Sequence, residues 1–132
     1  MNTKVLLLGI DGGGTSCRAR LCAYSGQILG EATTGPANLR LGLQESFTEI
    51  LRAATECLSR AGLPRSSLGK VVACLALAGA SEPAHLAAAQ SYPHAFRKAM
   101  ITTDAHAACL GAHGDRDGGV IVAGTGTVGW AM

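Results

Sequence analysis

Apolar positions recur along this chain in two rhythms. Val5-Leu6-Leu7-Leu8-Gly9-Ile10 is an almost unbroken apolar run, Cys17 to Tyr24 alternates apolar with polar residues, and Ile28 to Thr34 is a third block of strand length. Alternation places successive side chains on opposite faces of a sheet, so strands are predicted over Lys4–Ile10, Cys17–Tyr24 and Ile28–Thr34. The connections, Asp11-Gly12-Gly13-Gly14-Thr15 and Ser25-Gly26-Gln27, are short and glycine-bearing, which makes the three strands an antiparallel meander. From Leu43 to Ala61 the rhythm becomes helical. Leu43, Phe47, Ile50, Leu51, Ala54 and Leu58 share one face, with Gly62 placed as the C-terminal cap and Pro64 beyond it.

Val71 to Leu77 is apolar at every position, as in a strand covered on both faces, and a parallel, central strand is predicted there. Ser81 and Pro83 open a second helix through Ala84–Gln90, followed by a short strand over Ala99–Thr102. Asp104 stands at an N-cap position before the Ala-rich segment Ala105–Leu110, which stops at Gly111. Val120–Ala123 is a last strand running into Gly124-Thr125-Gly126-Thr127. A meander followed by alternating helices and strands is an α/β arrangement with a mixed sheet, in ribonuclease-H-like order. The 132 residues suffice for one domain with a real core and not for two.

Composition narrows the partners. A net charge of +2 with 15% charged and 4% aromatic residues provides no basic tract to follow a nucleic-acid backbone. No apolar stretch approaches the ~20 residues of a membrane helix, and Asp11 with its glycines interrupts what would be a leader's apolar region. A soluble, cytoplasmic protein is expected. Cys17, Cys22, Cys57, Cys74 and Cys109 contain no CxxC pair, so reduced, mostly buried thiols are expected. His85, His94, His106 and His113 also lack the spacing of metal ligands.

Two glycine segments carry the candidate chemistry. Gly12, Gly13 and Gly14 have no Cβ to keep a ligand away and tolerate positive φ, so their N–H groups can converge on phosphate oxygens. Thr15 adds a hydroxyl donor and Asp11 a carboxylate suited to Mg²⁺, directly or through water. A tight turn alone is the competing reading. Gly124 to Gly129 satisfies GxGxxG, but a dinucleotide fold also needs a following helix and a later ribose-binding acid, and the printed chain stops at Met132. A second phosphate hairpin is the alternative. The GxxxxGK[ST] loop of ordinary P-loop enzymes is missing.

Taken in order, GIDGGGTS, GPANLR, LALAGA, ITTDAHAA and IVAGTGTVGWA resemble the amino-terminal lobe of the N-acetylglucosamine and glucosamine kinase branch of the BadF/BadG/BcrA/BcrD ATPases, in the actin, Hsp70 and sugar kinase superfamily. The resemblance covers nearly the whole chain and implies an actin-type ATPase lobe. It implies ATP contacts at Gly12, Gly13, Gly14, Thr15, Gly124, Thr125 and Gly126, with Asp11 as the Mg²⁺-linked acid. Asn38 matches the family's sugar-binding asparagine; without the family it is a turn residue after a proline. Asp104 matches the aspartate that binds the sugar and accepts the proton of its 6-hydroxyl. Without the family it is a helix cap, and one oxygen can cap while the other faces the sugar.

The resemblance implies ATP-dependent phosphorylation of an amino sugar, N-acetylglucosamine or glucosamine. Kinases of this kind close a cleft with a second lobe. The chain is thus expected to be about half of a working enzyme with little turnover of its own, and its apolar segment Val120–Ala131 can pair with another copy, making a homodimer one expected state. The competing readings are a BadF-type ATPase driving electron transfer through a shared iron–sulfur cluster, for which Cys109 is the only candidate ligand, a sugar-responsive repressor, for which no DNA-binding helices are seen, and a degenerate lobe that only binds a partner.

Overall fold

The computed structural model describes residues 5–103, 119–123 and 127–131, with side chains described through residue 103. Five strands form its main sheet: β1 (Leu6–Gly12), β2 (Cys17–Ala23), β3 (Ile28–Thr34), β4 (Val71–Leu77) and β5 (Lys98–Thr102). Their order is β3-β2-β1-β4-β5. The β1–β2 and β2–β3 pairs are antiparallel, and β4 pairs in parallel with β1 and with β5. The meander and the parallel centre are therefore as the pattern predicts.

The first strand lies farther along than its apolar run suggests. Gly12 is opposite Cys17 and Asp11 opposite Arg18, so both residues belong to the ladder and only Gly13–Ser16 make the turn. β2 supplies alternating partners from Cys17 onward, and the hairpin ladder extends until they are used up.

Helix α1 (Leu43–Arg60) crosses β3, β2 and the edge of β1. It ends as predicted. Gly62 adopts a φ of 73°, its N–H donates to Ser59 O at 3.0 Å, and Leu63 N–H donates to Leu58 O at 2.9 Å, which satisfies the last carbonyls of the helix. Contact with the sheet is so close that a Cβ on Gly30 would stand 2.5 Å from Cys57 O. Helix α2 (Pro83–Gln90) begins at its proline, where the missing N–H costs nothing. Two 3-10 turns, Leu39–Leu41 and Arg65–Lys70, were not foreseen in the pattern.

The core joins one face of the sheet to these helices. Leu6, Leu8 and Ile10 of β1, Cys17, Ala19 and Leu21 of β2, and Val71, Ala73, Leu75 and Leu77 of β4 are buried against Phe47, Ile50, Ala54, Cys57 and Leu58 of α1. Burial pushes the Cys17 and Cys57 thiols up to about 11, which leaves both inert at neutral pH. Cys17, Cys22, Cys57 and Cys74 are free.

A separate antiparallel pair, β6 (Gly119–Ala123) and β7 (Thr127–Ala131), brackets the second glycine segment, with Ala123 opposite Thr127. Gly124, Thr125 and Gly126 between them lie outside the described residues, as do Asp104 and the helix predicted over Ala105–Leu110. Among the described residues no helix is long and apolar enough to cross a membrane.

Candidate functional site

The first glycine segment closes on itself, Gly13 N–H donating to Ser16 O at 2.8 Å. None of Gly12, Gly13 and Gly14 has a positive φ, so the expectation that the run exploits left-handed backbone is not met. Gly12 is glycine because of packing: a Cβ there would meet Ala37 O and Leu77 Cδ2, both at 2.8 Å. Gly13 and Gly14 are different. A Cβ on Gly13 would lie 3.5 Å from Ser16 O, and one on Gly14 would lie 4.0 Å from Asn38 Nδ2, both ordinary contacts. Neither packing nor backbone conformation requires glycine at these two positions, and Gly14 and Thr15 are exposed. What the missing side chains provide is open access to the turn's backbone.

Two backbone hydrogen bonds fasten this turn to two distant segments, and a third joins those segments to each other. Ala78 N–H donates to Gly12 O at 2.8 Å, Ala37 N–H to Gly13 O at 3.0 Å, and Leu39 N–H to Ala78 O at 2.9 Å. The tip of β1, the Gly35–Gly42 loop and the residues just after β4 thus form one unit at one end of the sheet.

Asn38 sits at its centre. Its Oδ1 accepts from Arg40 N–H at 2.9 Å, capping the 3-10 turn, and its main-chain carbonyl accepts from Ser46 Oγ at 3.0 Å. Because Arg40 N–H can only donate, the amide orientation is fixed and Nδ2 is the atom turned toward Gly14. The turn role is filled by the oxygen; the nitrogen has no hydrogen-bond partner among the described residues. Gly79, with a φ of 88°, forms the floor beneath, where a Cβ would come within 3.2 Å of Asn38 Oδ1 and of Leu39 Cβ.

Side chains brace the loop at both ends. Glu49 accepts from Gly35 N–H and from Arg52 Nη1, each at 2.7 Å, and the Arg52 guanidinium, with help from the Gly35 amide, holds its carboxyl below the usual carboxylate range. Arg40 pairs with Glu82 at 3.2 Å, linking the 3-10 turn to the start of α2.

Asp11 is exposed, and its Oδ2 accepts from Arg18 Nη2 at 2.8 Å. Among the described residues no group of three or more His, Cys, Asp or Glu side chains could hold a metal. A single half-exposed carboxylate fits Mg²⁺ arriving with a nucleotide, since that ion keeps several waters and commonly takes one or two carboxylates plus substrate phosphates.

The structure brings Asp11, Gly12, Gly13, Gly14, Thr15 and Asn38 to one end of the sheet. Asp104, Gly124, Thr125 and Gly126 fall outside the described residues. Arg18, Ala37, Ala78 and Gly79 were not singled out from the sequence. Ala37 lies in the GPANLR motif and Ala78 and Gly79 in LALAGA, so the motifs were the available signal, but nothing in them shows which main-chain groups bond.

The model of the BadF/BadG/BcrA/BcrD ATPase family matches residues 8–132. The chain is 40% identical over 122 residues to the glucosamine kinase GspK of Vibrio cholerae, covering 92% of this chain and 42% of that protein. It is 24% identical over 126 residues to the N-acetylmuramic acid/N-acetylglucosamine kinase of Clostridium acetobutylicum, covering 92% and 40%. A crystal structure of a proposed N-acetylglucosamine kinase from Chromobacterium violaceum superposes with a TM-score of 0.90 at 32% identity, over 98% of this chain and 46% of that one. The chain therefore spans less than half the length of each of these proteins.

Proposed function

The chain belongs to the BadF/BadG/BcrA/BcrD ATPase family, and from that premise we propose that it is the amino-terminal lobe of a kinase that transfers the γ-phosphoryl group of ATP to the 6-hydroxyl of an amino sugar, glucosamine or N-acetylglucosamine. The observation that carries this reading is the placement of Asn38 Nδ2 beside the accessible Gly13-Gly14 turn, in one unit fastened by backbone hydrogen bonds. A phosphate-binding turn and a directed amide donor that close together suit a reaction joining a phosphoryl group to a hydroxyl-rich acceptor.

The roles follow from the chemistry available. The Gly14 N–H and the Thr15 hydroxyl bind phosphate oxygens, and Gly13, whose own N–H is given to Ser16 O, leaves the approach to them open. Asn38 donates to an oxygen of the sugar, its own oxygen being engaged by Arg40. Asp104, placed by its motif, orients the 6-hydroxyl and accepts its proton as that oxygen bonds to the γ-phosphorus and the bond to the β-phosphate oxygen breaks, giving the sugar 6-phosphate and ADP. Asp11 would hold Mg²⁺, which when bound neutralises charge on the β- and γ-phosphates. Gly124, Thr125 and Gly126 make the second phosphate contact. The free cysteines support a reducing, cytoplasmic setting.

The test is a ¹H–¹⁵N titration of this chain with glucosamine, N-acetylglucosamine, glucose and Mg-ATP, repeated on Asp104→Asn. Shifts at Asn38 and Asp104 with an amino sugar, weakened in the variant, are expected. A spectrum indifferent to every sugar that responds only to Mg-ATP would instead favour the electron-transfer ATPase reading or a sugar site that needs the second lobe.

A further inference from the structure

The acid assigned to the metal is already engaged. Asp11 and Arg18 face each other across the β1–β2 ladder, next to the glycine turn, and join at 2.8 Å through Oδ2 and Nη2. A pair this open, with the Arg18 side chain 71% and the Asp11 side chain 50% exposed, gains little from its own attraction, so it holds Arg18 in place without binding it firmly. Its position matters more than its strength. The next residues toward the tip are Gly12, packed under Ala37 and Leu77, and then the open Gly13 and Gly14.

A bare carboxylate at the mouth of a polyphosphate site repels the ligand. A guanidinium beside it cancels that charge and is also well shaped to clasp phosphate oxygens. Both partners are needed, one by the metal and one by the phosphates, and each can be released only when the other is satisfied.

We propose that Arg18 is a nucleotide-binding residue that changes partners: it neutralises Asp11 in the free protein, and when Mg²⁺ and nucleotide enter together it leaves the carboxylate to the ion and moves onto a phosphate. The proposal deepens the kinase reading and rests on its nucleotide site. It makes the preference for the metal-loaded nucleotide a property of this pair, because metal-free nucleotide offers Asp11 no cation in exchange for Arg18.

Calorimetric titration of the purified chain with a non-hydrolysable ATP analogue tests this, with Mg²⁺ and with EDTA, for wild type, Arg18→Gln, Arg18→Lys and Asp11→Asn. Thermal melts confirm that each variant folds. With Mg²⁺, Arg18→Gln should lose about tenfold or more in affinity, and Arg18→Lys, which keeps the charge without the fork, should fall between that variant and wild type. Asp11→Asn, which sets Arg18 free, should bind the metal-free analogue more tightly than wild type does and should gain much less from Mg²⁺. Wild-type affinity in Arg18→Gln, an equal loss in Arg18→Lys, or an undiminished Mg²⁺ gain in Asp11→Asn overturns the exchange. A wild-type chain that ignores the analogue in both conditions overturns the nucleotide site itself, and the proposal with it. That result is distinct from a wild type that binds and an Arg18→Gln that binds equally well.

Discussion

Gly79→Ala tests the floor of the site. The new Cβ would enter a backbone with a φ of 88° and stand 3.2 Å from Asn38 Oδ1, 3.2 Å from Leu39 Cβ and 3.3 Å from Arg40 N. Left-handed backbone costs an alanine ~1–2 kcal/mol. The stiffer unfolded chain returns about 0.4–1 kcal/mol. The three contacts are tight enough that Asn38 and the 3-10 turn must give by a few tenths of an ångström. That strains the hydrogen bond from Arg40 N–H to Asn38 Oδ1, which is worth about 1 kcal/mol when intact. The balance is a net loss of about 1–2 kcal/mol, or roughly 4–8 °C in melting temperature for a domain of this size. Gly69→Ala is the control: it has no atom within 4 Å of its Cβ and no positive φ, so it should stay within about 0.5 kcal/mol of wild type. Thermal unfolding followed by circular dichroism gives the first readout. The side-chain amide resonances of Asn38 give the second, and they should move in Gly79→Ala alone. If both variants melt together and the Asn38 resonances stay in place, Gly79 is not the support of the asparagine and the account of the site is wrong.

Gly30→Ala should be at least as damaging for a different reason, since its Cβ would lie 2.5 Å from a backbone oxygen of α1 and the whole helix must shift; a loss of about 2–3 kcal/mol in urea unfolding is expected. Glu49 should make the Gly35 end of the loop acid-sensitive. Its folded-state pKa lies below the ordinary glutamate value, so its stabilisation is complete above that ordinary value and is lost as the pH falls through the lower folded one. Glu49→Gln should therefore narrow the gap between urea midpoints measured at about pH 6 and about pH 3, and an unchanged gap would remove Glu49 from the account.

Much of the fold was readable from the order of residues. Phe47, Ile50, Ala54 and Leu58 marked the buried side of α1, with Leu43 and Leu51 partly buried at its margins, and Gly62 marked its end in the conformation that favours glycine. The unbroken Val71–Leu77 run identified a central parallel strand, although only Val71, Ala73, Leu75 and Leu77 with Ala76 are fully buried, and Val72 and Cys74 on the other face are half-buried. The site was less readable. Asn38 was found through a motif, but the division of labour between its oxygen and nitrogen depends on Arg40 N–H, a group every residue except proline carries. The three glycines at the turn looked alike in sequence, yet Gly12 answers to Ala37 and Leu77 while Gly13 and Gly14 answer to neither packing nor conformation. The ladder reached Asp11 and Gly12 because pairing with β2, and not their own β-propensity, decides where β1 ends.

The three main-chain bonds that join Gly12 to Ala78, Gly13 to Ala37 and Ala78 to Leu39 also bear on inheritance. No side chain takes part in them, so at half-buried Ala78 most single-letter changes would leave the joints in place, whereas Ala37 and Leu39 are also held to their size by the core. Proline is the exception at each of the three, because it brings no N–H. Under Gly12 the limit is one of space, and it applies to Ala37 as well, whose methyl group would lie 3.0 Å from any Cβ that Gly12 acquired. Where a side chain is not itself packed in the core, the sequence around these joints can be reworded while the joinery stays.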